Sequence, residues 1–223
     1  MHKRWMQAVL VAAAFGVSGA TAVSAQVGEL KSLSQTDVSV SLYGAFSGAT
    51  TGDGISQSPS NAAGGIVEVR HISNPIFGFE GTYSFNRANQ VYNPGNVPLS
   101  GGTVTCGIPC SATPLPAAVS ANAHEVTGDW VPSLKIANLR PFGVAGVGVL
   151  FNEPASGQAD TTSSNKAVFV YGAGLDWGVL PHIGVRLQYR GNLYKAPDLT
   201  TLYGSSGVFT HTAEPMIGIY LRL

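Results

Sequence analysis

From Asp37 onward, apolar and polar residues alternate almost one by one. The cleanest run sets Phe77, Phe79, Gly81, Tyr83 and Phe85 against Gly78, Glu80, Thr82, Ser84 and Asn86. Ile183, Val185, Leu187 and Tyr189 likewise oppose Gly184, Arg186, Gln188 and Arg190, and Ile217, Ile219, Leu221 and Leu223 oppose Met216, Gly218, Tyr220 and Arg222. Successive side chains of a strand point to opposite faces, so a period of two predicts strands with one apolar and one polar face. Followed along the chain, it predicts eight strands near 37–47, 63–72, 76–87, 122–131, 139–151, 166–177, 183–193 and 209–223. Two are less regular. Ile66 shares its face with Glu68 and Arg70, and Gly143, Gly146 and Gly148 fall on both faces of 139–151, leaving its parity open. No stretch after residue 36 carries a helical stripe of similar clarity.

The connections carry a second pattern. Those after strands two, four and six are short: 73–75, 132–138 and 178–182. Those after strands one, three, five and seven are long and rich in Ser, Thr, Asn, Gly and Pro: 48–62, 88–121, 152–165 and 194–208. Short and long connections alternate, so an up-and-down order puts every long one at the same end. Transmembrane β-barrels have this asymmetry.

Composition narrows the environment. Only 11% of the 223 residues are charged, about half the ~25% of an ordinary soluble domain. Twelve basic residues balance twelve acidic ones, which argues against a nucleic-acid partner. Disorder is disfavoured, because disordered chains are polar and highly charged. Residues 1–25 have the parts of a secretory signal: Lys3 and Arg4, an apolar run from Ala8 to Ala20, and Val23-Ser24-Ala25 before Gln26. Residues 26–36 read as a short leader, and 37–223 as one strand-built domain.

The alternating strands, the loop asymmetry, the Arg140-Pro141-Phe142 entry to a glycine-rich strand and the terminal strand Met216 to Leu223 together resemble the OmpA/OmpX-like outer-membrane β-barrel family. The resemblance covers 37–223. It implies an all-β, eight-stranded, antiparallel, up-and-down transmembrane barrel with short periplasmic turns and long external loops. It also implies lipid as the surroundings, a monomer in the bilayer, and recognition of the last strand by the barrel-assembly machinery. Ile219, Leu221 and Leu223 keep that signal's alternation, with Leu where the family usually ends in Phe.

A soluble lipocalin-like carrier would show the same period with its apolar face inward. Three features favour lipid. Lys31, Lys135, Lys166 and Lys195 fall in leader, turn or loop-edge positions, whereas soluble sheets place lysine freely on wet faces. Aromatics fall near strand ends (Phe77, Phe85, Trp130, Phe151, Trp177, Tyr189, Phe209), at lipid-headgroup level. Strand charges are mostly Arg with Asp or Glu: Glu68, Arg70, Glu80, Glu125, Asp129, Asp176, Arg186, Arg190, Glu214 and Arg222. Eight strands leave an interior that side chains fill, so these ten are expected to interlock as a lumen network. A narrow ion pathway is the alternative.

Candidate chemistry elsewhere is sparse. Cys106 and Cys110, in the longest connection, are expected to form a local disulfide in an oxidising compartment, stabilising by about 2 kcal/mol. The spacing is not the Cys-x-x-Cys of redox enzymes, and further zinc ligands are missing. His124 and His211 fall near the external strand ends, where small barrel enzymes that modify lipid A keep catalytic groups. Those deacylases carry His-x-Ser, but His211 is followed by Thr212 and Ala213, and alanine supplies no nucleophile. Neither a cofactor nor a metal is expected. The reading is a non-enzymatic scaffold displaying external loops for adhesion or membrane integrity, with an external ligand or host surface as partner. The alternatives are a small-solute channel, a lipid A-modifying enzyme and a soluble carrier.

Overall fold

The computed structural model describes residues 34–94, 117–202 and 206–223. Ten strands form: β1 (Gln35–Ser47), β2 (Thr50–Gly52), β3 (Ile55–Pro59), β4 (Ala62–Ile72), β5 (Gly78–Pro94), β6 (Ala117–Trp130), β7 (Leu139–Pro154), β8 (Ser164–Gly178), β9 (Ile183–Lys195) and β10 (Phe209–Arg222). Eight of them close a barrel, each antiparallel to its neighbours. β1 pairs with β4 through Asp37 opposite Arg70, and with β10 through Asp37 opposite Arg222. β5 pairs with β6, leaving the barrel no open edge. The eight barrel strands lie where the period of two predicts them, but β1 starts two residues early, β5 runs on seven residues past 87 and β6 starts five residues before 122.

Closure turns the alternation into an inside and an outside. Leu42 is 70% exposed and Phe209 65%, while Arg70, Arg186 and Arg190 are fully buried. The apolar residues face outward and the charged ones inward, the reverse of a soluble carrier. Phe77, Phe85, Trp130, Phe151, Trp177 and Phe209 all project from the outer wall. Tyr189 does too, but it lies midway along β9, opposite Pro215, rather than at a strand end.

β7 settles the irregular segment. Gly143 faces outward, whereas Gly146 and Gly148 face the lumen between inward Phe142, Val144 and Leu150. A Cβ on Gly146 would stand 1.9 Å from the Asp129 carboxylate and 2.5 Å from the Gly128 carbonyl. The close approach of β6 therefore requires glycine. The alternation is blurred because both faces of this strand are apolar. With Val168 and Val170 of β8, the inward residues form a dry patch inside the barrel.

The turns at one end are tight. Asn74 caps the first, its side-chain oxygen accepting from the amides of Ile76 (3.0 Å) and Phe77 (2.9 Å). Ile136 and Leu139 exchange amide-to-carbonyl bonds of 2.8 and 2.9 Å around Ala137-Asn138. At the other end the first long connection contains the β2–β3 hairpin. Asp53 and Gly54, at φ 48° and 77°, make its two-residue turn, and β3 continues along β5 from Pro59–Gln90 to Ile55–Pro94.

Candidate functional site

The lumen holds two tiers of charge. In the tier nearer the short turns, Arg186 of β9 reaches Asp37 (2.8 Å), Glu68 (3.0 Å) and Asp176 (2.7 Å), from β1, β4 and β8. Its guanidinium also donates to the Ser39 hydroxyl at 2.8 Å. Arg70 spans Glu80 (2.5 Å) and Asp176 (3.3 Å), with its guanidinium carbon 4.0 Å above the Phe142 ring. Phe142 lies flat because residue 174, facing it on β8, is glycine; a Cβ there would be 2.3 Å from the ring. The planar guanidinium presents donors in a fixed fork and can stack on a ring while pairing at its edges. Two arginines thus bind strands from all round the wall.

The second tier is more acidic. Arg190 meets Glu125 (3.3 Å) and Asp129 (3.5 Å), and Asn192 donates to Glu125 at 3.0 Å. Glu214 is buried in the same tier, with one carboxylate oxygen lacking a hydrogen-bond partner. It borders a cavity of about 40 Å³ that is otherwise lined mainly by small and polar residues such as Ala45, Ser84 and Ala123. Nine of the ten residues expected in the lumen occupy these tiers. Arg222 stands apart at the short-turn mouth, where it donates to the Pro181 carbonyl at 3.4 Å and makes no ion pair among the described residues. Asp37 and Arg140, absent from the sequence-based set, join the lower tier, with Arg140 3.7 Å from Asp37. Their places on the polar face near the starts of β1 and β7 could have offered them.

The long-loop end is built as a cap. Tyr92, on the part of β5 that rises above the barrel, donates to the Pro197 carbonyl (2.8 Å) and accepts from the Leu199 amide (3.0 Å). Its burial there raises the phenol's pKa, keeping the hydroxyl a donor. Gln57 of β3 donates to the same carbonyl at 2.8 Å, and Lys166 pairs with Asp198 at 2.8 Å. Ile55, Tyr92, Val119, Ala121 and Leu199 pack as a small core beneath these connections. Sequence reading passed over the hairpin and the cap, although Asp53-Gly54 is a strong two-residue turn signal.

The remaining candidates are placed simply. His124 and His211 face outward and bond to tyrosine hydroxyls, Tyr83 (2.8 Å) and Tyr171 (2.9 Å). Ala213, two residues after His211, lies opposite Phe46 of β1 and Gly191 of β9. Among the described residues no three His, Cys, Asp or Glu side chains are grouped to hold a metal. Cys106 and Cys110 lie outside the described residues. Ile219 and Leu221 line the outer wall of β10, opposite Val40 and Val38, and Leu223, one residue past the strand, is exposed too.

Comparison with known proteins bears on this geometry. Residues 8–212 match the family described as outer membrane protein beta-barrel domain. The fold is similar to the crystal structure of Neisserial surface protein A (11% identity, covering 84% of this chain and 97% of that one, TM-score 0.51). It is also similar to the outer membrane protein OprG from Pseudomonas aeruginosa (10% identity, covering 86% and 97%, TM-score 0.50). No curated protein matches the sequence.

Proposed function

The chain belongs to the family of outer membrane protein beta-barrel domains, and on that premise we propose that it is a non-enzymatic scaffold presenting a cap of external loops to a ligand or surface outside the cell. The observation that carries this reading is the contrast between the two ends of the lumen axis. The interior is closed by fully buried arginines, each held by two or more carboxylates, whereas the described parts of the long connections are knit into a cap around Tyr92 and Pro197. A closed barrel with an organised rim suits display better than transport.

Supporting roles follow the same reading. Residues 1–25 direct export, the alternating face of Ile219, Leu221 and Leu223 is read during assembly, and the barrel works as a monomer. A disulfide between Cys106 and Cys110 staples the tip of the longest loop.

The test pairs two measurements on the full-length protein. Reconstituted into planar bilayers, it is expected to give no stable conductance steps; regular steps would replace the scaffold with a small-solute channel. Cells displaying it are expected to bind extracellular-matrix or epithelial surfaces, and to lose that binding when 50–59 is replaced by a short Gly/Ser turn. Heat-modifiable migration in unboiled gels verifies that the shortened barrel still folds. Unchanged binding in a folded variant would remove the display role of the cap.

A further inference from the structure

The short-turn mouth of the barrel contains a pocket of about 360 Å³ whose lining includes three cations and no carboxylate. Lys135 comes from the β6–β7 turn, Arg140 from the start of β7 and Arg222 from the end of β10. Leu139, Leu180 and Pro181 supply apolar wall. Two donors here lack a hydrogen-bond partner. One is the Nε of Arg222; the other is the terminal nitrogen of Arg140 that stands 3.7 Å from an Asp37 carboxylate oxygen, while the second terminal nitrogen of Arg140 donates to the Gln35 side-chain oxygen.

Burying a guanidinium donor unpaired is costly, and such groups in a native structure mark a missing partner. The nearest acid does not supply it. The Asp37 oxygen facing Arg140 stands at 3.7 Å, beyond hydrogen-bond distance, and accepts from Gln35 at 3.3 Å, while its other oxygen binds Arg186 at 2.8 Å. Asp176, further up the lumen, is shared by Arg186 and Arg70. Tyr220 adds a phenol to the same wall, with its hydroxyl near Gly178. The mouth therefore brings cationic donors from three elements to one pocket whose lining has no carboxylate.

We propose that this mouth binds a phosphate group, monoester or diester, on the periplasmic side. A tetrahedral oxyanion presents several acceptors at once, and guanidinium groups favour it through charge-assisted, paired bonds. The volume exceeds what a bare phosphate fills, so an esterified organic group fits against Leu139, Leu180 and Pro181. The phosphate is carried either by a soluble ester or by an inner-leaflet phospholipid headgroup.

The test uses the full-length barrel folded in a zwitterionic detergent without phosphate. Glycerol 3-phosphate, titrated at constant ionic strength, is expected to raise the unfolding temperature saturably. Arg222→Gln and Lys135→Gln, both outside the lumen tiers, are each expected to weaken that response about tenfold. The same wild type in vesicles containing phosphatidylglycerol, against vesicles of uncharged lipid, identifies the source. Protection by the soluble ester alone assigns a periplasmic phosphate ester, and protection by the anionic vesicle alone assigns a lipid headgroup. No protection in either arm, or protection undiminished in both variants, overturns the proposal.

Discussion

At the scale of single residues, the lumen depends on a few arginines. Arg186 is surrounded by three carboxylates within 3.0 Å, and all four groups are removed from water. Deleting one partner of a buried ion pair leaves the others uncompensated, at about 3–5 kcal/mol. Arg186→Gln is therefore expected to destabilise the barrel by that amount in urea titrations in lipid vesicles. Arg186→Lys restores the charge but not the fork that reaches three strands, so it should recover only part of the loss. A loss below about 1 kcal/mol for Arg186→Gln would show that water already shares the site. Sequence placed Arg186 on the polar face, but it could not tell which acids it meets. Asp176 lies opposite Arg186 on the adjacent strand, but Asp37 and Glu68 come from 149 and 118 residues away, and only barrel closure sets that geometry.

At the scale of elements, alternation was legible wherever one face meets lipid and the other meets a polar lumen. It failed on β7 for a physical reason. Phe142, Val144 and Leu150 face inward and cluster with Val168 and Val170, so part of the lumen is apolar and the contrast between faces disappears. The cap was missed differently. β2 and β3 are three and five residues long, too short for a period to register, and their pairing rests on one turn. Gly54 holds φ 77° in that turn, where a side chain is unfavourable. Gly54→Ala is expected to cost about 1–2 kcal/mol, locally. Amides of Ile55 and Gln57 should exchange faster with solvent while those of β9 stay unchanged. Equal loosening of β9 would mean the hairpin and barrel unfold as one unit.

At the scale of the whole molecule, the low charge content is a consequence of where charge can go. Lipid excludes it from the outer wall, leaving the lumen, turns and loops, and these hold nearly all of it. This arrangement makes the same substitution mean opposite things in the two environments. Leu42, midway along β1 and opposite Ile217, is 70% exposed. On a soluble barrel such a position would accept arginine within about 0.5 kcal/mol. Facing the middle of a bilayer, Leu42→Arg is expected to cost about 2–4 kcal/mol, measured by urea unfolding in lipid vesicles. Thr51→Arg, on the external hairpin, should change stability by no more than about 0.5 kcal/mol. Equal, small effects at both positions would mean that the apolar wall does not face hydrocarbon. The comparison isolates the outer face, because neither position touches the lumen network.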